Sequence, residues 1–253
     1  MDFSTLDLSI LGPPFLAGLL VLSTHVPLGQ QVLKRGIIFI DLAIAQIAGL
    51  GVIAAHSFTW ESHGWMVQIV AMSAALGGAL VFYFFERRFP GILEAIIGCV
   101  FVLAASGGIL LLSHNPHASE HLQELLVGQI LWVNYSTLAP IAVLYAVILV
   151  LWFLLKHRST LVFYLLFALA ITASVQLVGV YLVFASLIIP ALAVHRAKSH
   201  QLPVGYGLGA MGYALGLAAS ALFDLPAGAI IVWALAACGI LSSYWSGRTG
   251  PAK

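Results

Sequence analysis

Charged side chains are what this sequence has least of. Only 8% of its 253 residues are Asp, Glu, Lys or Arg, whereas 62% are hydrophobic and the mean hydropathy is +1.07. A soluble domain typically carries about 25% charged residues, so the short polar loops of this chain leave no room for one. The apolar runs are extended and do not alternate with polar residues, which excludes a transmembrane β-barrel. The composition therefore predicts a helical protein that crosses a membrane several times.

Cysteines and catalytic motifs are also scarce. Cys99 and Cys238 both lie inside apolar runs, where neither their spacing nor their position suggests a disulfide or a thiolate metal site. The sequence contains no HExxH, GxSxG, GxxxxGK[ST] or CxxC motif, so any ATP must be hydrolysed by another chain. No basic residue precedes the first apolar run, which argues against a cleaved secretory signal. We expect a protein that is not an enzyme, holds no covalently bound cofactor and binds no nucleic acid.

Apolar runs divide the chain into nine predicted membrane segments. The run Leu161–Val194 has 34 residues, enough for two short helices broken near Gln176–Gly179, and the count falls to eight if it is not divided. The apolar piece Leu125–Val133 is too brief to span, because about 17–25 residues are needed, so we expect an interfacial or re-entrant helix there. We predict an all-α, polytopic transmembrane bundle forming one domain over residues 1–253, with segments at about 12–33, 37–55, 65–85, 91–112, 137–155, two within 161–194, 204–222 and 229–245.

The positions of the basic residues predict the orientation. Lys and Arg accumulate in cytoplasmic loops, and nine crossings with the N-terminus outside and the C-terminus in the cytoplasm place all ten of them on the inner side. The opposite orientation would place all ten outside. The residues are Lys34, Arg35, Arg87, Arg88, Lys156, Arg158, Arg196, Lys198, Arg248 and Lys253.

Small residues recur in the eighth segment. Gly205, Gly209, Gly212 and Gly216 give two small-xxx-small spacings. In lipid, such glycines allow two helix backbones to approach closely. We expect close helix contacts there, within the protomer or across a dimer.

An acidic residue within an apolar segment is the first candidate for function. Asp41 lies among Ile, Leu, Ala and Phe, and a carboxylate in a lipid-facing helix costs roughly 3 kcal/mol or more, so such residues usually face a bundle interior or a polar path. The alternative is structural, because Asp41 lies six residues from Arg35 and could cap a helix or form an ion pair near the membrane edge. Glu94 has the same two interpretations: the dipole of its helix favours it in the first turn, or it lines the path.

The loop after the fourth segment is dense in histidine. His114, His117 and His121 lie there with Glu120, and neutral imidazole and carboxylate groups suit zinc and similar divalent ions. These side chains could raise the local metal concentration or pass an ion inward. The alternative is a hydrated loop whose histidines are incidental, because such clusters alone are weak signals. His25, within the first segment, is a further candidate for lining a path.

Three stretches resemble one family. The first stretch starts at Pro27 and reads PLGQQVLKRGIIFIDLAIAQIAGLG. It resembles the signature of the zinc and manganese permeases of ABC importers. In that signature, paired basic residues precede a helix that bears an aspartate and a histidine. The second stretch starts at Gln176 and reads QLVGVYLVFASLIIPALAVHRAK. It is similar to the second signature of that family, where a Gly-containing break leads into a "LIIPA" helix. The third stretch starts at Ser220 and reads SALFDLPAGAIIVWALAACGILS. It is similar to the C-terminal turn and last helix of the same family.

The resemblance implies a function and a set of partners. It implies a permease, dimeric and most simply a homodimer, embedded in the inner membrane of a bacterium. A periplasmic metal-binding protein would deliver Zn²⁺ or Mn²⁺, and a cytoplasmic ATPase would drive transport. Asp41 would bind the ion along the path, and the outer histidines would feed that path.

Two departures mark the chain as a divergent member. The histidine that the family places four residues after its aspartate is Ala45 here, and the nearest polar side chain, Gln46, points about 140° away from Asp41 at about 100° per residue. The family's cytoplasmic segment that docks on the ATPase is reduced to the five residues Lys156–Thr160. Two alternatives therefore stay open: an ATP-independent metal channel or carrier on the same scaffold, and an accessory subunit without a transport role.

Overall fold

The chain is helical throughout the part that the structure describes. The computed structural model describes residues 8–57, 65–113, 126–155, 159–195 and 200–249, and these ranges contain no strand. Two 3₁₀ turns, Pro90–Ile92 and Ile130–Trp132, accompany nine α-helices. In chain order the helices are α1 Leu8–Arg35, α2 Ile40–Ser57, α3 Trp65–Arg88, α4 Leu93–Leu112, α5 Tyr135–Leu155, α6 Thr160–Val178, α7 Val180–Ala193, α8 Gln201–Phe223 and α9 Ala227–Thr249.

Length and composition make these helices suitable for a membrane. Six of the described helices are long and apolar enough to cross one, namely α1, α3, α4, α5, α6 and α8, the span at α4 beginning at Pro90. The shorter apolar stretches Ile40–Ala55, Val180–Ala193 and Ala227–Ser243 belong to α2, α7 and α9. Each predicted segment overlaps a described helix, six of these helices qualify as membrane spans, and the break expected near Gln176–Gly179 is at Gly179. The all-helical class is confirmed.

The described helices form two compact units. The first unit consists of Met1–Arg35, Val127–Tyr145 and Leu177–Lys253, and therefore contains α1, the start of α5, α7, α8 and α9. The second consists of Gly36–Leu126 and Ala146–Gln176, and contains α2, α3, α4, the end of α5 and nearly all of α6.

Glycines of α8 hold the first unit together. A Cβ added at Gly209 would lie 2.5 Å from the Leu22 side chain of α1, and one at Gly216 would lie 2.5 Å from the Cα of Ile231 in α9. The small-xxx-small pattern thus allows α8 to approach two neighbours within the same chain. The other two glycines of the pattern follow the same division, Gly205 facing α1 and Gly212 facing α9.

Hydrogen bonds between polar side chains and their neighbours also join the helices of the first unit. The Tyr206 hydroxyl of α8 donates a hydrogen bond to the Ser23 carbonyl of α1 at 3.0 Å. The hydroxyl groups of Ser186 in α7 and Tyr213 in α8 are hydrogen-bonded at 2.8 Å, and both side chains are buried. In an apolar interior such paired hydroxyls avoid the cost of unsatisfied polar atoms and fix the register of the helices.

The short apolar piece near residue 130 is described only from Leu126 onward. Leu126 and Val127 are α-helical, Gly128 follows with φ +70°, and a 3₁₀ turn spans Ile130–Trp132. The backbone of Gly128 contacts that of Gly179, whose φ and ψ of 82° and 162° lie in a region open essentially only to glycine. A close crossing of two backbones at Gly128 and Gly179 therefore fixes the conformation of the chain directly after Val127.

Helix α2 is the centre of the second unit. It packs against both α3 and α4, and Ile40, Ile44 and Ala48 are buried. Gly78 of α3 allows the approach, because an added Cβ there would lie 2.6 Å from the Ile47 side chain. The apolar sides of α2 are thereby covered within its own unit, and its N-terminus lies beside the start of α4.

Candidate cation site

The first turn of α2 carries a buried carboxylate. Helix α1 ends at Arg35, Gly36 follows with φ +69°, and a turn leads to Ile40, where α2 begins. Asp41 follows directly and is only 1% exposed. Neither of its carboxylate oxygens has a hydrogen-bond partner among the described residues. Asp41 is therefore a buried acid whose carboxylate makes no hydrogen bond within the described part of the chain.

The first turn of α4 brings a second carboxylate to the same place. Glu94 follows the 3₁₀ turn Pro90–Ile92, and its Oε1 accepts a hydrogen bond from the backbone amide of Phe39 at 3.1 Å. Its other oxygen, Oε2, is buried and has no hydrogen-bond partner among the described residues. Glu94 thus caps the start of α2 with one oxygen and leaves the other one free.

The structure brings Asp41 and Glu94 together. The Phe39 amide that Glu94 binds is two residues before Asp41, so both acids lie at the start of α2. Both oxygens of Asp41 and Oε2 of Glu94 have no hydrogen-bond partner among the described residues. Asp41 is buried and Glu94 is partly exposed, and carboxylate oxygens are ligands that hard cations prefer. Within the described residues no group of three His, Cys, Asp or Glu side chains forms a metal site, so the cluster is a pair.

Of the other candidates for the path, Gln46 and His25 lie within the described residues. Gln46 is partly exposed and lies five residues after Asp41, about 7.5 Å further along the axis of α2. His25 belongs to α1 in the first unit and is fully buried. Its Nδ1 lies 3.1 Å from the Thr24 hydroxyl, and its Nε2 has no hydrogen-bond partner in the described part of the chain. The outer-loop candidates, His114, His117, Glu120 and His121, lie outside the described residues.

The carboxylate pair is the feature that inspection of the sequence missed. Asp41 and Glu94 are 53 positions apart, and no local motif links them. A signal was nevertheless present, because Asp41 follows Arg35 by six residues and Glu94 follows Arg88 by six residues. Basic residues mark one side of the membrane, so equal spacing from them predicts equal depth for the two acids.

The comparison with protein families gives one match that covers nearly the whole chain. The model of the ABC 3 transport family matches residues 7–163 and 156–246. These ranges contain both acids of the pair and all nine described helices in full or in large part.

Individual proteins are similar over most of their length. A membrane protein of Synechocystis without an assigned role is 28% identical over 243 residues, covering 85% of this chain and 83% of its own. The high-affinity zinc uptake system membrane protein ZnuB of Haemophilus influenzae is 25% identical over 260 residues, covering 93% of this chain and 97% of its own.

Two solved structures have a similar fold. PsaBC from Streptococcus pneumoniae, in complex with a Fab, matches with a TM-score of 0.73 at 19% identity, over 94% of this chain and 95% of that chain. An inward-facing metal-chelate type ABC transporter matches with a TM-score of 0.66 at 18% identity, over 92% of this chain and 85% of that chain. At these identities the likeness is one of fold.

Proposed function

The chain belongs to the ABC 3 transport family, and from this membership we propose that it is the permease subunit of an importer that moves zinc or manganese into the cell. The chain is a multi-pass membrane protein, with six helices long and apolar enough to span among those described. Similarity to a zinc uptake membrane protein over 93% of the chain supports a divalent metal as the substrate.

The observation that carries the proposal is the state of Asp41. A fully buried carboxylate without a hydrogen-bond donor is costly in an apolar bundle, and such groups mark ion pathways. A passing metal ion would supply the missing counter-charge. Asp41 is therefore our candidate for the ligand that the ion meets inside the membrane.

The proposal includes partners and a location. The permease would act as a single domain in the inner membrane of a bacterium, paired with a second copy of itself. A periplasmic metal-binding protein would deliver the ion, and a cytoplasmic ATPase would supply the energy, because the chain has no nucleotide-binding motif. Nine crossings with the N-terminus outside are supported by the distribution of all ten Lys and Arg residues.

The role of Asp41 is tested by metal uptake in cells. Asp41→Ala should reduce uptake of radioactive zinc or manganese by about tenfold or more, because removing even an outer-shell partner of a metal commonly costs that much affinity. Normal amounts of the variant in the membrane, measured by immunoblot, are the required control. Unchanged uptake at normal abundance would remove Asp41 from the path.

The outer loop is tested by its deletion. Removing residues 114–121 should weaken uptake at low external metal and leave uptake at saturating metal nearly unchanged, because the loop is proposed to collect ions and not to conduct them. A concentration series of uptake rates separates these cases. Equal rates at every concentration would show that the histidines have no capture role.

A second candidate, an ATP-independent channel or carrier, is favoured by one specific observation. Helix α5 ends at Leu155 and α6 begins at Thr160, so the connection is too short for a docking helix. Purification of the native complex from membranes distinguishes the two candidates. A co-purifying ATPase together with bound metal supports the importer. Bound metal without an ATPase favours the channel, and the absence of both favours an accessory subunit.

A further inference from the structure

We propose that the imidazole of His25, in the first unit of the chain, is a ligand that a zinc-class cation meets inside the membrane. The inference rests on the proposed function for its role in transport, where His25 would help to determine which metal passes. Whether a cation reaches His25 is a separate claim, and its test needs no transport.

The side chain of His25 is enclosed by protein well inside a membrane span. It is fully buried, and it belongs to the candidate span Ile10–Arg35 of α1. Histidines within membrane-spanning helices are rare and usually mark ion pathways or proton relays, because a polar group inside the bilayer is costly. The position of His25 therefore favours a functional role for its ring.

Hydrogen bonds determine which ring nitrogen of His25 is free. The Thr24 hydroxyl donates its proton to the Val21 carbonyl at 3.2 Å, so its oxygen can only accept from His25 Nδ1, which lies 3.1 Å away. Nδ1 then carries the ring proton, and Nε2 holds a lone pair that is buried without a hydrogen-bond partner in the described part of the chain. A neutral imidazole held through Nδ1–H, with Nε2 open, is the state in which histidine binds a metal.

Helix α1 is interrupted at the same turn. Pro27 lies inside the helix and has no backbone N–H, so the carbonyl of Ser23, four residues earlier, receives no helical hydrogen bond. The Tyr206 hydroxyl of α8 donates to that carbonyl at 3.0 Å instead. His25 lies between Ser23 and Pro27. Interrupted helices that carry polar groups are typical of ion and substrate sites in membrane bundles.

The chemistry of the imidazole indicates the class of cation. Imidazole suits Zn²⁺ and similar ions, whereas Mn²⁺ is harder and prefers carboxylate, carbonyl and water ligands. The described residues contain no group of three His, Cys, Asp or Glu side chains that could hold a metal, so His25 would share the ion with water or backbone oxygens. A site with one imidazole binds weakly, which suits a path, because an ion in transit must be released again.

Four variants separate a ligand from a structural residue. His25→Asn keeps an N–H donor near the position of Nδ1 and removes Nε2, whereas His25→Cys supplies a sulfur ligand for zinc and cadmium. Leu22→Cys is the control for an introduced thiol, because Leu22 is buried in the same helix and faces Gly209 of α8. His195→Asn is the control for a lost imidazole, because His195 is exposed just after α7.

The first test asks whether a cation reaches this turn. The purified full-length chain with Cys99→Ala and Cys238→Ala is titrated with Cd²⁺ in lipid nanodiscs, and the ultraviolet charge-transfer band of a cadmium thiolate is recorded. The band should appear on adding His25→Cys to this chain and not on adding Leu22→Cys. A band in neither protein would leave His25 as a structural residue. Equal bands in both would show that Cd²⁺ enters α1 without selection, which also contradicts the proposal.

The second test compares uptake of radioactive Zn²⁺ and Mn²⁺ at matched amounts of protein in the membrane. His25→Asn should lower zinc uptake by about tenfold and manganese uptake by less, and His195→Asn should change neither. His25→Cys should recover zinc uptake. An equal loss for both metals, or no loss, would contradict a ligand role. If His25→Asn does not accumulate, the same ratio is measured in His25→Gln, whose amide is a poor ligand for zinc.

Failure of the site and failure of the transport role give different results. If the permease proposal is wrong, wild type should take up neither metal while His25→Cys still binds Cd²⁺. If only the role of His25 is wrong, wild type should transport, His25→Asn should keep the wild-type ratio of zinc to manganese, and the cadmium band should be absent.

Discussion

At the residue scale, Glu94 has a structural role, the capping of α2, that can be measured without a bound metal ion. Its Oε1 accepts the Phe39 amide at the entry to α2. Glu94→Ala should lower the free energy of unfolding by about 1 kcal/mol through loss of this hydrogen bond, whereas Glu94→Gln should retain most of it. Thermal unfolding in detergent compares the two variants. Equal losses in both would mean that the charge of Glu94, and not its acceptor oxygen, stabilises the fold.

Gly179 is a second residue at which we expect substitution to destabilise the protein. Its φ and ψ of 82° and 162° exclude other residues, and an added Cβ would lie 2.6 Å from the carbonyl carbon of Val127. Gly179→Ala should therefore destabilise the protein by about 1–3 kcal/mol or more. Gly207→Ala in α8, where an added Cβ meets nothing within 4 Å, is the matched control and should be neutral or stabilising by up to about 1 kcal/mol. A tolerated Gly179→Ala would show that the crossing can relax.

Contacts between individual residues are also what the sequence predicts least well. Asp41 was identified because a lone acid in an apolar run is rare. Its pairing with Glu94 depends on how α2 and α4 meet, and no local pattern encodes a contact across 53 positions. The Phe39 amide is a backbone group, and its donor role follows from the turn after Gly36 and not from its side chain.

At the scale of elements, the glycines of α8 predict which helix contacts are sensitive. Gly216 lies against the backbone of α9, because an added Cβ would be 2.5 Å from the Cα of Ile231, and a backbone cannot rotate away as a side chain can. Gly216→Ala should force α8 and α9 apart and cost about 1–3 kcal/mol. Unfolding midpoints of Gly216→Ala and Gly207→Ala in the same detergent provide the comparison. Similar midpoints would show that the contact is looser than the structure indicates.

Sequence patterns predicted the helices well but not the tertiary contacts between them. Uninterrupted apolar runs bounded by basic or Pro/Gly residues predicted the helices to within a few residues at each end, and the break at Gly179 fell inside the expected range. The piece around Ile130 has α-helical residues at Leu126 and Val127 and a 3₁₀ turn at Ile130–Trp132. The bend between them, at Gly128, depends on the crossing with Gly179, a tertiary contact that periodicity cannot reveal.

At the scale of the whole molecule, orientation is the first property to test. With the N-terminus outside, the turn between α3 and α4 faces the cytoplasm and the start of α5 faces outward. In a chain with Cys99→Ala and Cys238→Ala, Phe89→Cys should react with a membrane-impermeant maleimide only after the cells are opened. Asn134→Cys should react in intact cells. The reverse pattern would invert the topology.

The direction and energy source of transport are the central claim at this scale. The most direct measurement is uptake of radioactive Mn²⁺ and Zn²⁺ into liposomes that contain the purified native complex, with the binding protein outside and ATP either enclosed or omitted. We predict accumulation that requires ATP and that falls by about tenfold or more in Asp41→Asn. Accumulation of equal size without ATP, or unchanged accumulation in Asp41→Asn, would contradict the account.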